Sequence, residues 1–282
     1  MSERAFLNGF ARNRGLPMRL SNREPSMPTV DLNSDLGEGF GAYTCGDDEA
    51  MLSIVTSANV ACGFHAGDPE VMAQTFATAK KRGVNVGAHP GFPDLWGFGR
   101  RRLPFSAAEI ERLVAYQIGA AAALAAYSGH RITYVKTHGA LGNIACENRE
   151  IADAVARASR AVDRNLACLA PALSELIAAS EAVGIASFQE IYADRGYTET
   201  GQLIPRGQPG AMILDPEQAA TRVIEMIKAG AIITARGTPL ATAVDSICVH
   251  GDSVHAVQTA RLIRTRLEQA GVRLASFGTG AV

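Results

Sequence analysis

Thr29-Val-Asp-Leu-Asn-Ser-Asp-Leu-Gly-Glu38 is an apolar, β-branched run that ends in polar residues and gives way to a helical segment. The same order recurs along the chain, with candidate strands at 29–33, 57–62, 84–89, 132–138, 166–170, 185–191 and 246–250. Alternation of this kind predicts an α/β fold of parallel strands joined by helical crossovers. The segments between the strands carry matching punctuation. Asp68-Pro69-Glu70 and Asp215-Pro216-Glu217 each place an N-cap acceptor before a proline at the first helical position. Ser106 and Glu109 form a capping-box pair. Gly83, Gly129, Gly184, Gly230 and Gly271 follow helical stretches, where a residue with positive φ ends a helix. In the last helix Val257, Ala260, Ile263 and Leu267 recur on one face. Two connections, 90–105 and 192–214, are long and glycine-rich enough to be binding loops or inert excursions.

A chain of 282 residues is long for one domain but ordinary for an α/β barrel. The 27 basic residues are balanced by 28 acidic ones, so the basic excess of a nucleic-acid binder is missing. The local cluster Arg100, Arg101 and Arg102 suits a small anion. Five cysteines with no C-x-x-C pair argue against a disulfide framework and a structural zinc site, and point to reduced thiols in a cytoplasmic protein. No run approaches the roughly 18 apolar residues of a membrane span. Residues 1–27 hold Arg4, Arg12, Arg14, Arg19 and Arg23 but no secretory apolar run. They read as a disordered extension ahead of a single catalytic domain at 28–282.

The polar residues gather where the apolar runs end. Asp31 and Asn33 share one face of their strand, as do Lys136 and His138. In a barrel of parallel strands the C-terminal ends collect at one rim, where active sites are built. Of the six histidines, His65, His89, His138, His250 and His255 fall at or just after such ends, and a shared catalytic pocket is the reading that explains them together. Lys136, inside an apolar strand, is costly to bury unless it faces a site or a carboxylate. Asp35 and Glu38 lie in a glycine-flanked loop where a carboxylate has no evident folding duty. Other residues have plainer readings: Asp68 as a helix cap, Asp94 as a turn residue, Asp31 as a buried hydrogen-bonded group and His255 as helix surface. Cys62 reads as a small buried thiol, with nucleophile as the weaker alternative. Gly37-Glu-Gly39-Phe-Gly41 lacks dinucleotide-fingerprint spacing, and no P-loop sequence occurs, so any ATP binds by another arrangement or is handled partly by another chain.

Seven segments together resemble the LamB/YcsF family: VDLNSDLGEGFGA at 30–42, SANVACGFHAGDPE at 57–70, GVNVGAHPGFPD at 83–94, GFGRR at 97–101, VKTHGALGN at 135–143, EIYADRGY at 190–197 and ICVHGD at 247–252. They occur in the family's order and spacing from about Thr29 to Arg273. Two positions depart from it: the family has proline at Thr137 and tyrosine at Gly142. The resemblance implies a distorted parallel (β/α) barrel of about seven strands, similar to glycoside hydrolase/deacetylase-type barrels. It implies ATP-dependent 5-oxoprolinase activity, opening 5-oxoproline to L-glutamate with ATP as cosubstrate, alongside 5-oxoprolinase subunits B and C.

For that chemistry the residues offer a hypothetical assignment. Asp35 or His65 orients and deprotonates water, while Lys136 and His138 stabilise phosphate or oxyanion. Arg195 and the Arg100/Arg101 pair bind the substrate carboxylate or phosphate. Asn33, Glu38, His89, Glu190, Asp194, His250 and Asp252 complete the substrate-binding set, with Glu190 and Asp252 positioning the others. The alternatives are a metal-dependent deacetylase-like hydrolase, with Asp35, His65 and His89 or His138 around a divalent ion, and a non-catalytic lactam binder that recruits partners.

Overall fold

The computed structural model describes residues 28–250 and 256–278. The first half runs β1 (Thr29–Leu36), α1 (Asp48–Met51), β2 (Ser57–Ala61), α2 (Pro69–Arg82), β3 (Asn85–His89), α3 (Ala107–Tyr127), β4 (Ile132–Val135), α4 (Gly139–Glu147) and α5 (Arg149–Val162). The second runs β5 (Ala167–Pro171), α6 (Glu175–Ala182), β6 (Ser187–Tyr192), α7 (Pro216–Ala229), β7 (Ala231–Ile233), β8 (Pro239–Ala241), β9 (Ser246–Cys248), α8 (Ala256–Gln269) and β10 (Arg273–Leu274). Seven parallel strands in the order β1-β2-β3-β4-β5-β6-β9 close into a barrel, because β9 pairs with β1 as well as with β6. These are the seven strands expected from the sequence. β10 adds a two-residue pairing beside the start of β1, and β7 and β8 form an antiparallel arm apart from the barrel sheet. No helix among the described residues is long and apolar enough to cross a membrane.

The helix boundaries follow their sequence signals. The Asp68 side chain accepts from the backbone N–H of Glu70 and Val71, Asp215 caps α7 in the same way, and Ser106 and Glu109 form the reciprocal capping box. Gly83 and Gly230 are left-handed C-caps, and Gly129, Gly184 and Gly271 also have positive φ just past helix ends. On α8 the residues Ala260, Ile263 and Leu267 are fully buried.

The alternation in β1 separates two environments. Leu32, Val60, Val86, Val135 and Ile247 join Phe76, Ile118, Val155 and Ile263 in one apolar cluster of strand and helix residues. The opposite faces of the strands carry buried polar groups that bond across the barrel. Asp31 accepts hydrogen bonds from Thr56 Oγ1 and Ser57 Oγ, each at 2.6 Å, and from Ser246 Oγ. Asn59 Nδ2 donates to Asn33 Oδ1 at 2.7 Å, and the Tyr134 hydroxyl donates to Asn59 Oδ1 at 2.7 Å. Bulky aliphatic layers usually fill such barrels; here satisfied polar groups do so, which keeps their burial tolerable. Gly87 makes room for this packing: a Cβ there would lie 2.4 Å from the Tyr134 ring.

Burial pushes the Asp31 carboxyl up to about 6, against the opposing pull of the Ser246, Ser57 and Thr56 hydroxyls. A folded-state pKa above the unfolded value means that the native state holds the proton more tightly. The resulting stability is present below the unfolded pKa and is lost as pH rises through the folded one. Urea titrations of wild type and Asp31→Asn are therefore expected to show the wild-type advantage shrinking by about 3 kcal/mol between roughly pH 3 and pH 7.5. A difference independent of pH would contradict this.

Candidate active site

Lys136 follows β4 directly, and its backbone N–H still reaches Ala88 O, so the side chain keeps the strand's inward direction. Its ammonium is buried within 3.1 Å of Asp35 Oδ1, 3.0 Å of Glu190 Oε2, 3.1 Å of Asn33 Oδ1 and 3.1 Å of Cys248 Sγ. These partners come from β1, β6 and β9, so the lysine spans the barrel interior. Burial would lower the pKa of this ammonium, but the charges of Asp35 and Glu190 prevail and hold it well above its usual value. Burial likewise works against ionised Asp35, and the neighbouring His89 and Lys136 prevail, holding its carboxyl well below the usual range.

Beside this group, Glu38, His65, His89 and His138 meet at or just past the ends of four strands, β1 to β4. Their nearest donor atoms all lie within 4.8 Å of one another. His65 Nε2 is 3.3 Å and His138 Nδ1 is 3.5 Å from Glu38 Oε1, and the rings of His65 and His138 stack at 3.7 Å. His89 Nε2 is 3.1 Å from His138 Nδ1 and 3.4 Å from Asp35 Oδ2. Burial lowers the pKa of His65 well below its usual value and brings that of His138 to about 3, with the neighbouring imidazoles adding to both shifts. Both rings are therefore neutral at physiological pH. The sequence grouped Asp35 with the imidazoles as the metal set, whereas Glu38 is the carboxylate that touches two of them.

A cavity of about 490 Å³ opens over these residues. Asp35, Glu38, His89, Lys136, His138, Arg100, Arg195 and His250 line it, and the fold thus brings together side chains from Asp35 to His250. Other expected residues lie elsewhere. His65 sits behind His138 and does not line the cavity. Asn33 and Glu190 lie beneath Lys136, with Glu190 also accepting the Tyr192 hydroxyl at 2.8 Å. Asp194 stands behind His250, bonded to its Nδ1 at 2.7 Å. Arg195 reaches the cavity wall, but its guanidinium donates to Ala211 O and Ile204 O and braces its own loop. Arg101 does not pair with Arg100 at the cavity. Its guanidinium forks onto Asp94, whose carboxyl it holds down to about 2, so both residues fasten the loop. The turn role for Asp94 is seen in its acceptance of Gly97 N–H at 3.0 Å. Asp252 and His255 lie outside the described residues, as do residues 1–27. Cys62 is buried, its Sγ facing Val60 O, and burial pushes its thiol up to about 12, which argues against a nucleophile.

Sequence reasoning missed Arg206, which lines the cavity and sits with Nη2 3.4 Å from His250 Nε2. It also missed Cys248 as a partner of Lys136. The one available sign of Arg206 was a cation in the long glycine-rich connection, and nothing local distinguished it from a solvated arginine.

The sequence matches the LamB/YcsF family over residues 30–281. It is 65% identical over 251 residues to the A subunit of 5-oxoprolinase from Azorhizobium caulinodans, covering 89% of this chain and 99% of that protein. The structure is similar to that of the lactam utilization protein from Thermus thermophilus, with a TM-score of 0.83, 42% identity and coverage of 88% of this chain and 100% of the other. A likeness of fold alone extends to the catalytic domain of a peptidoglycan N-acetylglucosamine deacetylase from Eubacterium rectale, at TM-score 0.51 and 12% identity over 92% of each chain.

Glycine at 99 is what lets the imidazoles stack. Its φ is +64°, and a Cβ there would lie 2.7 Å from His65 Cβ and 2.9 Å from His138 Cδ2. Gly99→Ala is expected to cost about 1–3 kcal/mol through overcrowding and left-handed strain, read by urea unfolding. It should also shift the histidine side-chain NMR signals of both rings; unchanged stability and spectra would contradict the packing argument.

Proposed function

This chain belongs to the LamB/YcsF family, and on that footing we propose that it is the A subunit of a 5-oxoprolinase, a hydrolase that opens the lactam of 5-oxoproline to glutamate. The observation that carries this reading is the polarity of the cavity. Lys136 lies at its floor between Asp35 and Glu190, one ammonium against two carboxylates. Arg100, Arg102 and Arg206 stand in its wall. 5-Oxoproline is a small ring with one carboxylate and an uncharged lactam. Its anionic end is drawn to guanidinium groups and repelled by the net negative floor, so the ring enters lactam first.

The lactam resists hydrolysis through amide resonance and ready reclosure. Phosphorylation of the lactam oxygen by ATP offsets both. Water adds to the activated ring carbon, and the C–N bond breaks as its nitrogen takes a proton. A second water hydrolyses the resulting acyl phosphate to the glutamate carboxylate and phosphate. This chain has no P-loop sequence, which supports a complex in which subunits B and C handle ATP at least in part. Asp35, ionised and facing the cavity, accepts a hydrogen bond from the attacking water. Lys136 and His138 stabilise the charge that develops on oxygen or phosphate. Asn33 and Glu190 position Lys136, and Arg100 takes the substrate carboxylate or phosphate. A cytoplasmic setting with reduced thiols is part of the same reading.

A second reading, a metal-dependent hydrolase of the deacetylase kind, is favoured by one observation: the convergence of Glu38, His65, His89 and His138. A divalent ion held there would polarise an amide carbonyl as a Lewis acid. Acetate release from acetylated sugars, without lactam turnover, would put this reading first.

Reconstitution with subunits B and C is expected to yield glutamate and ADP from 5-oxoproline, and no turnover with any candidate pair would count against the assignment. In that assay Lys136→Ala should lower turnover about 100-fold or more; unchanged turnover would remove Lys136 from the mechanism. Arg100→Ala should raise KM for 5-oxoproline about 10-fold or more while kcat stays within a few-fold. An unchanged KM would remove Arg100 from substrate binding.

A further inference from the structure

We infer that Glu38, His65, His89 and His138 form a binding site for a divalent transition-metal ion, held by Glu38 Oε1, His65 Nε2, His89 Nε2 and His138 Nδ1. The inference concerns what the chain binds and stands apart from the reaction assigned to it.

Tautomers provide the first argument. His89 Nδ1 lies 2.6 Å from Lys136 O, and His138 Nε2 lies 2.8 Å from Phe98 O. A carbonyl only accepts, so each of these nitrogens carries a proton. With a single proton on each ring, the nitrogens left to bear lone pairs are His89 Nε2 and His138 Nδ1. These two lone pairs face each other at 3.1 Å. Either a proton or a cation lies between them. A proton joins one pair of atoms, whereas an ion satisfies all four converging donors. Outer hydrogen bonds to backbone carbonyls are also how metal-ligating histidines are oriented.

Distances provide the second. Charge-assisted hydrogen bonds between imidazole and carboxylate run at about 2.7–2.9 Å, and His250 with Asp194, at 2.7 Å, is such a pair in this protein. Glu38 stands farther from its imidazoles, at 3.3 and 3.5 Å. Four donors placed tetrahedrally at zinc bond lengths of about 2.0–2.1 Å are separated by about 3.3 Å. Three of the six donor separations, 3.1, 3.3 and 3.5 Å, cluster around that edge, and all six fall within 4.8 Å. Three imidazole nitrogens with one carboxylate suit zinc and its neighbours rather than calcium or magnesium. A second acidic group, Asp35 with Cys248 and His250, does not compete, because the Lys136 ammonium already lies 3.1 Å from both Asp35 Oδ1 and Cys248 Sγ. Glu38, His89 and His138 line the cavity, which gives an ion a path in.

The test uses the full chain alone, stripped with chelator and dialysed, without lactam or partner subunits. Titration with Zn2+, followed by calorimetry and elemental analysis, is expected to give one ion per chain. Co2+ should give the visible d–d bands of a low-coordinate nitrogen and oxygen site. Glu38→Gln and His138→Asn should each weaken binding about 100-fold or more, beyond the 10–100-fold typical when only an outer hydrogen bond is lost. Should either variant fail to fold by circular dichroism, histidine nitrogen NMR of the wild type decides: Zn2+ should shift His89 Nε2 and His138 Nδ1 and leave their protonated partners in place. Absence of stoichiometric binding, wild-type affinity in the folded variants, or histidine signals unmoved by Zn2+ would each overturn the site. Loss of 5-oxoproline turnover in reconstitution would leave these readouts untouched.

Discussion

A lysine ammonium buried in the middle of a barrel has to be answered by charge from the surrounding strands. Lys136 receives that answer from Asp35 on β1 and Glu190 on β6, with Asn33 and Cys248 filling its remaining directions. Removing one partner of a buried ion pair typically costs about 3–5 kcal/mol, because a desolvated charge is left behind. The registers of β1, β4, β6 and β9 are therefore tied to a single atom, Nζ. A one-residue slip in any of them would turn the partner toward the helices. The grouping that charges the cavity floor also fixes how the strands align.

The same pairing explains why the interior is polar. Once two carboxylates and an ammonium occupy it, their neighbours have to be groups that satisfy hydrogen bonds. Ser57, Asn59, Tyr134 and Ser246 serve that purpose layer by layer, down to Asp31. The apolar stabilisation is displaced outward, to the layer between strands and helices. Glycines at 87 and 99 yield the space that the Tyr134 ring and the stacked imidazoles require.

Much of this was legible in the sequence because it rests on local pattern. The strands, the aspartate and serine caps and the glycine stops each depend on a few neighbouring residues. So does the placement of Asp35, Lys136 and His138 at strand ends. What depended on distance in space was not legible. Asp35 and Glu38 read as members of one loop, but Asp35 belongs to β1 and only Glu38 lies past it, and the fold turns Asp35 to Lys136 and Glu38 to His65 and His138. Arg100 and Arg101 are adjacent, yet the backbone of the loop sends one to the cavity and the other to Asp94. His65 looked like a reacting group because it follows β2, but the stacking of His138 over it sets it back from the cavity. The two short sheet additions, β10 and the β7–β8 arm, are too brief to leave a periodic trace.

Between β6 and β9 the chain leaves the barrel, and the ladder closes without it through direct pairing of those two strands. That excursion holds itself together with its own bonds, including the Arg195 guanidinium on Ala211 O and Ile204 O and the bridges Arg195 to Met212 and Tyr197 to Leu203. It also supplies Gln202, Leu203, Pro205 and Arg206 to the cavity wall. That side of the pocket is thus built separately from the strands that carry the floor. A change of sequence confined to that detour would reshape this wall while leaving the hoop of strands and its central cation in place.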